Sequence, residues 1–305
     1  MDIFRLANLQ ITLFLLILTG LLLKKKGILD QEGKRCLTDL CVNVVIPCNI
    51  LKSCLAPLGE NVLGICGRIL LAAFVIQGIY LVLNRVLFNR FPEGQKKVLQ
   101  YCTIASNGGF LGNPVAEGVY GPLGLLYASV FLIPMRLIMW SVGTSYFMEQ
   151  KVDKKETLKK VLTHPCLVAI YLGMSCMVCH LQLPRFLVMT IGYIGSCNSA
   201  LTMFLVGTIL ADVPASTLVN RKSVLYSVFR LGLLPLMALG VCHVLGGMDP
   251  VGMGVSVVMT GMPAPATAAI FAARYDSDAP FATQLVILST LLSMVTIPCW
   301  CYAIG

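Results

Sequence analysis

The sequence predicts an all-α integral membrane protein of ten transmembrane helices, arranged as two inverted five-helix repeats. Three observations predict it: the length of its apolar runs, the placement of its basic residues between them, and a matched pair of Gly/Pro-interrupted runs in the two halves. The 305-residue chain is 57% hydrophobic and only 12% charged, against roughly 25% charged in an ordinary soluble chain. Its mean hydropathy is +0.83. A soluble domain of this size needs many more charges to cover its surface, whereas here the apolar residues come in runs long enough to cross a bilayer. The 27 Gly and 15 Pro also suit membrane helices better than soluble ones.

Ten apolar segments fall at roughly 5–23, 37–57, 62–88, 98–120, 123–147, 163–181, 187–211, 222–246, 250–273 and 280–304. Each is near the ~20 residues a helix needs to cross ~30 Å of hydrocarbon. The first run has almost no basic residue before it and ends in Lys24, Lys25 and Lys26. That is the order of a retained helix with a basic stop, opposite to a cleavable signal peptide.

Lysine and arginine fall on alternate loops. One set holds Lys24, Lys25, Lys26, Lys34, Arg35, Arg85, Arg90, Lys96, Lys97, Lys151, Lys154, Lys155, Lys159, Lys160, Arg221, Lys222 and Arg274. The other set holds Arg5 and Arg185. The positive-inside bias makes the rich set cytoplasmic and puts both termini outside the cytoplasm, with the chain in the cell's inner (plasma) membrane. The net charge of +9 is therefore topology information. It forms no aromatic-interleaved patch, so nucleic acid is not an expected partner.

The longest polar stretch, 149–160, divides the chain into units 1–150 and 151–305. Five spans per unit require the second unit to insert upside down, which is the topology of an inverted repeat. The interrupted fourth and ninth segments centre on Pro114 and Pro263, 149 residues apart. Such a pair is the best sequence pointer to a transporter's binding site.

The fourth segment reads Ser106, Asn107, Gly108, Gly109, Phe110, Leu111, Gly112, Asn113, Pro114. Three Gly, two Asn and a Pro would ruin a plain membrane helix, since each unsatisfied backbone group in hydrocarbon costs several kcal/mol. Broken backbone is tolerated where it is buried in protein or lines a wet cavity. Asn113 and Pro114 read as the cap and first residue of a second half-helix, whose free N–H groups would face an anion. The alternative is a kinked packing helix with small residues for close approach. In the ninth segment, Pro263 and Pro265 follow Thr260 and break the helix again, with the opposite direction. Two partial positive ends would then share one anionic group. Thr260 and Thr267 would either contribute hydroxyls or bond back to their own helices. Asn43, Pro47 and Asn49 interrupt the second segment, and Asn43 and Asn49 are candidates for the same cavity. Arg136 lies within the fifth segment, where an ionisable residue is a functional candidate by default: it would pair with a substrate carboxylate or bond backbone carbonyls. Arg68 and Arg230 read as snorkelling residues near segment ends.

Carboxylates are nearly absent from the spans. Glu117 is the nearest case, while Asp39, Glu149 and Asp212 sit near ends, which argues against a proton–sodium antiporter. Enzyme motifs are missing too: there is no H-E-x-x-H and no G-x-S-x-G, and the three His are His164, His180 and His243. Cys176, Cys179 and His180 spell C-x-x-C-H, the string of c-type haem attachment, but no second haem ligand is signalled nearby. The 13 Cys read mostly as small buried hydrophobes. No metal or cofactor is expected.

At Asn107 to Pro114 the sequence resembles the auxin efflux carrier family, which includes plant auxin exporters and bacterial carriers of malate and malonate. The pattern N-x-G-[aromatic]-[aliphatic]-G-x-P is carried by Asn107, Gly109, Phe110, Leu111, Gly112 and Pro114. Met262, Pro263, Phe271, Ala272, Tyr275, Ser289, Thr290 and Pro298 stand where the family has similar residues. So do the stretch from Lys25 to Leu29 and the run from Asn43 to Pro47. The resemblance implies scaffold segments 1, 2, 6 and 7, transport segments 3–5 and 8–10, elevator-like movement, and a homodimer through the scaffold. It implies that Asn107 binds the substrate carboxylate and that Pro114 and Pro263 are crossover prolines. Asn113 departs from the family's usual apolar residue, so the pocket here is expected to be more polar than one for an aromatic substrate. The expected function is transport of small organic anions, mono- or dicarboxylates, with the coupling ion (proton, sodium or none) open. Its rivals are a sodium-coupled symporter of the bile-acid type, an anion-binding channel or sensor, and, behind these, a membrane enzyme.

Overall fold

The computed structural model describes residues 3–56, 61–147, 159, 162–179, 181, 183–211 and 220–304. Glu149, Lys151, Lys154, Lys155 and Lys160 of the mid-chain polar stretch, together with His180 and Asp212, lie outside the described residues. Among the described residues every regular element is a helix. They are α1 (Ile3–Lys25), α2 (Gln31–Leu55), α3 (Val62–Val86), α4 (Glu93–Ile104), α5 (Asn113–Ile138), α6 (Pro165–Val178), α7 (Arg185–Ala211), α8 (Arg221–Leu245), α9 (Pro250–Thr260), α10 (Thr267–Arg274) and α11 (Ala279–Ile304). Seven helical runs are long and apolar enough to span a membrane, and α6 and α9 are shorter apolar helices. Large apolar side chains such as Val82, Phe186, Leu225, Val228 and Val295 are more than 60% exposed on these helices. In water they would be an aggregation liability; they suit a lipid-facing surface.

Local chemistry sets the helix starts. Asp30 caps α2 by accepting the Gly33 N–H, Asp249 caps α9 by accepting the Gly252 N–H, and Asn220 and Ser223 form a capping box at α8. Pro165 and Pro250 occupy first-turn positions, where no N–H is needed. The run Glu93–Gly143 is 51 residues long, too long for one pass. It folds back at Gly121, whose φ of +69° is a backbone conformation that side chains disfavour. The return brings Gly124 against the Ala116 carbonyl, with no room for a Cβ.

Proline also explains three of the four irregular turns. π turns cover Cys41–Val45, Gly108–Gly112, Met139–Gly143 and Phe229–Leu233, and three of them directly precede Pro47, Pro114 and Pro235. A proline has no N–H for the carbonyl four residues back and its ring clashes with it. One extra residue in the turn relieves both problems.

The expected half-helix start at Asn113 and Pro114 is therefore corrected. The break lies at residues 105–107, and the helix restarts at Gly108 with Asn107 in the cap position. The Asn113 N–H bonds the Gly108 carbonyl in π fashion, which carries the helix continuously past Pro114. Asn113 itself is wholly buried, with neither side-chain polar atom hydrogen-bonded.

Packing uses small residues. On α1 and α7, a Cβ at Gly20 would run into the Phe204 carbonyl and one at Gly207 into the Ile17 carbonyl, so the two backbones touch in the manner of small-residue membrane interfaces. The second half of α2 packs on α6 and α7, where Gly173 lies on Cys54 and Gly195 on Asn49. The largest apolar cluster joins α3, the returning limb of α5, α8 and α9 through Ile69, Ile76, Leu126, Leu132, Leu234 and Met259.

Candidate functional site

The two broken stretches meet. The Asn107 N–H donates to the Pro263 carbonyl at 2.9 Å, which joins the gap between α4 and α5 to the gap between α9 and α10. Around this contact some of the orphaned backbone groups have identifiable partners. The Ala264 N–H donates to Ser289 Oγ on α11 at 3.0 Å, and Gln77 Nε2 on α3 donates to the Ile104 carbonyl at 3.1 Å. Tyr101 on α4 and Thr267 at the start of α10 share a hydroxyl–hydroxyl bond of 2.8 Å.

Beside the junction lies a cavity of about 580 Å³, within the ≈ 300–1,000 Å³ range of small-molecule sites. Its floor is Ser106, Asn107, Gly109 and Phe110 from one break and Pro265, Ala266 and Thr267 from the other. One wall is a stripe at every fourth residue of α2: Lys34, Thr38, Val42 and Ile46. The opposite sides are Met135, Arg136, Met139 and Trp140 after α5's proline-containing limb, His164 and Cys166 at the start of α6, and Leu205 and Ile209 on α7. Lys34, His164, Ala273 and Thr283 all lie at helix ends joined to the basic loops, so the cavity runs from the junction toward that end of the bundle.

Both floor segments begin helices, whose first-turn N–H groups lack intrahelical partners; at α10 the Ala268 N–H bonds the Pro265 carbonyl at 3.0 Å. The earliest backbone bonds closing the restarted helix are Leu111 and Gly112 N–H to the Asn107 carbonyl, at 3.0 and 3.2 Å, which leaves the Gly108–Phe110 N–H groups outside that ladder. Asn107 is 5% exposed, and its side-chain amide makes no hydrogen bond among the described residues. Gly109 faces open space: a Cβ there would meet nothing within 4 Å. Gly108 faces inward, where a Cβ would press on Leu132 and Met259.

The charge balance of the lining is one-sided. Its charged residues are Lys34 and Arg136 and, among the described residues, it has no Asp or Glu. Arg136 is only 7% exposed, and its Nη1 has no hydrogen-bond partner. The lining is otherwise mostly apolar and does not include Asn113, so the more polar pocket expected from that residue is corrected. A buried guanidinium with an unsatisfied donor beside such a cavity is arranged for an acceptor that comes from outside the chain.

Asn107, Gly109, Pro265 and Arg136 thus all line one cavity. Pro263 lies immediately behind it, at the junction. Thr260 is buried and bonds back to the Ser256 carbonyl at 2.8 Å. Asn43 is exposed, with its amide on the Asp39 carbonyl at 2.9 Å. Asn49 faces the other end of the bundle, where Nδ2 donates to Glu117 Oε2 at 2.7 Å. Lys52 approaches the same carboxylate at 3.8 Å and bonds Ser196 Oγ at 3.2 Å. Arg68 bonds the Gly246 carbonyl near a helix end. Arg230, expected to snorkel, is instead 2% exposed. Sequence reasoning missed His164, Trp140 and the Lys34–Thr38 edge. A four-residue spacing along α2 was the available signal, but nothing in it tells a cavity face from a packing face.

The membrane transport protein family model matches residues 8–301. An uncharacterized transporter of Methanothermobacter thermautotrophicus is 28% identical over 302 residues, covering 95% of each chain. An uncharacterized transporter of Methanocaldococcus jannaschii is 22% identical over 302 residues, covering 94% of each chain. With the family model spanning nearly its whole length, the chain belongs to the membrane transport protein family, the auxin efflux carrier family that its Asn107–Pro114 motif resembles.

Proposed function

We propose that this family member is a secondary carrier of small organic anions, mono- or dicarboxylates, working in the inner (plasma) membrane with both termini outside the cytoplasm. The observation that carries the reading is the cavity itself. Two helix starts meet at its floor, the Asn107 amide is free there, a buried Arg136 lacks one partner, and among the described residues no carboxylate lines it. Helix N-termini and a guanidinium with an unsatisfied donor favour an anion, and a carboxylate would supply the acceptors that all three donors lack.

In this reading the chain makes ten passes as two inverted halves. The broken segments carry the anion, and α3–α5 with α8–α11 move as a transport body against a scaffold of α1, α2, α6 and α7. The α2 stripe is the scaffold's side of the cavity. A homodimer through the scaffold fits the same division. The Asn49–Glu117–Lys52 contacts that tie α2 to α5 at the end opposite the cavity fit a carrier better than an open channel.

The test is uptake of radiolabelled malate by proteoliposomes of the purified protein, against a panel of other mono- and dicarboxylates. Saturable uptake of at least one carboxylate, without channel-sized current, is expected. A panel with no uptake, or a conductance far above any carrier cycle, would overturn the reading.

A further inference from the structure

The junction has negative ends as well as positive ones. α4 and α9 both finish there, and the last carbonyls of a helix are left without intrahelical partners and carry partial negative charge. In carriers built on broken helices, such carbonyl ends are where a coupled Na⁺ or H⁺ is held. Here the position is filled by a side chain. Arg230 Nη1 donates to the Cys102 and Thr103 carbonyls at the end of α4, both at 2.9 Å, and Nε donates to the Met262 carbonyl just after α9 at 3.0 Å. The residue lies in the π turn Phe229–Leu233 before Pro235 and is 2% exposed.

No carboxylate lies within ion-pair distance of Arg230 among the described residues. Its charge is balanced by peptide dipoles from two helices. A buried charge is costly unless it is well hydrogen-bonded, and the fork geometry of a guanidinium suits several oxygens at once. The group is also tethered to the chain, so it does not leave during a transport cycle.

We infer that Arg230 is a resident counter-cation of the crossover, standing where a coupled metal ion would otherwise bind, so that anion movement by this protein requires no sodium. Arg230 acts as a positioning residue: it ties α4 to the break after α9 and thereby fixes the two helix starts that face the cavity. This deepens the carrier reading and rests on it for its functional part. It also separates the protein from a sodium-coupled symporter of the bile-acid type.

The first arm of the test needs no transport. Thermal unfolding of the purified full-length protein is measured in sodium, potassium and choline chloride at equal ionic strength. Equal midpoints are expected; a saturable, sodium-specific rise would overturn the inference. Arg230→Ala should unfold several degrees lower and be restored by millimolar guanidinium more than by the same concentration of choline. Stability equal to the native protein, or restoration by both salts alike, would contradict the assigned role. If Arg230→Ala yields no folded protein, the wild-type salt comparison still decides. The second arm is carboxylate uptake with external sodium replaced by choline, where an unchanged rate is expected. Uptake that vanishes without sodium overturns the inference and leaves the carrier reading standing. No uptake in either salt overturns the carrier reading, while the unfolding data still judge the cation site.

Discussion

At the scale of single residues, adjacent positions in the motif do different jobs. Gly108 faces packed side chains and Gly109 faces the cavity. Gly108→Ala should therefore lower the unfolding midpoint, because Leu132 and Met259 must shift to admit the methyl group. Gly109→Val should leave the midpoint nearly unchanged yet raise KM, because the new side chain occupies substrate space. Thermal unfolding and uptake kinetics on the two variants check the pair, and the same response from both would sink the distinction. The sequence made both glycines visible as candidates but could not assign them, since which side a glycine faces depends on α5 and α9 packing around it. The same holds for the two buried arginines. Both sit within apolar runs, and only tertiary geometry shows that Arg230 spends its donors on three carbonyls while Arg136 keeps one free.

At the scale of elements, backbone chemistry governs. Gly121 holds φ +69° where the chain reverses. Gly121→Ala should cost about 1–2 kcal/mol, read as a lower unfolding midpoint, with carboxylate affinity largely kept. Pro114→Ala acts differently. It restores an N–H that a regular α-helix can use, so the Gly108–Gly112 turn is free to lose its extra residue. That would rotate Asn107 and Gly109 relative to the cavity. Transport should fall while the protein stays folded, as circular dichroism and uptake would show together. Much of this level was legible in advance: proline and glycine marked the broken fourth and ninth segments, and apolar length marked the spans. The start of the second half-helix was placed several residues late because Asn113 followed by Pro114 imitates a capped helix start. A π turn passes through such a pair without ending the helix, and no local rule signals that choice. The chain reversal at Gly121 falls in the gap between the fourth and fifth apolar segments, 98–120 and 123–147, so its place was readable in advance.

At the scale of the whole molecule, the cavity reaches toward one end and polar contacts tie α2 to α5 at the other. Asn49 and Lys52 on α2 hold Glu117 on the first limb of α5. An alternating carrier must release these contacts to expose its site on that side. Linking Asn49→Cys to Glu117→Cys with a short thiol cross-linker, in a background freed of the native cysteines, should stop uptake, and cleaving the linker should restore it. Uptake that continues while the link is intact would rule out movement between α2 and α5 at that end. Family membership was readable from one short motif because its residues serve backbone geometry, which a family shares. The cavity's scaffold wall, Lys34 to Ile46, was not readable, because it is formed by residues distant in sequence from both breaks.

The most direct test of the central claim is uptake kinetics for Asn107→Ala and Arg136→Gln beside the native protein, using whichever carboxylate the panel identifies. Each lost hydrogen bond to a charged group is worth ≈ 1.5–3 kcal/mol. The account predicts that kcat/KM falls by roughly ten- to a hundredfold in each variant, with unfolding midpoints close to native. If both variants transport at the native rate and affinity, the anion does not bind at the junction of the broken helices, and this assignment of the site is wrong.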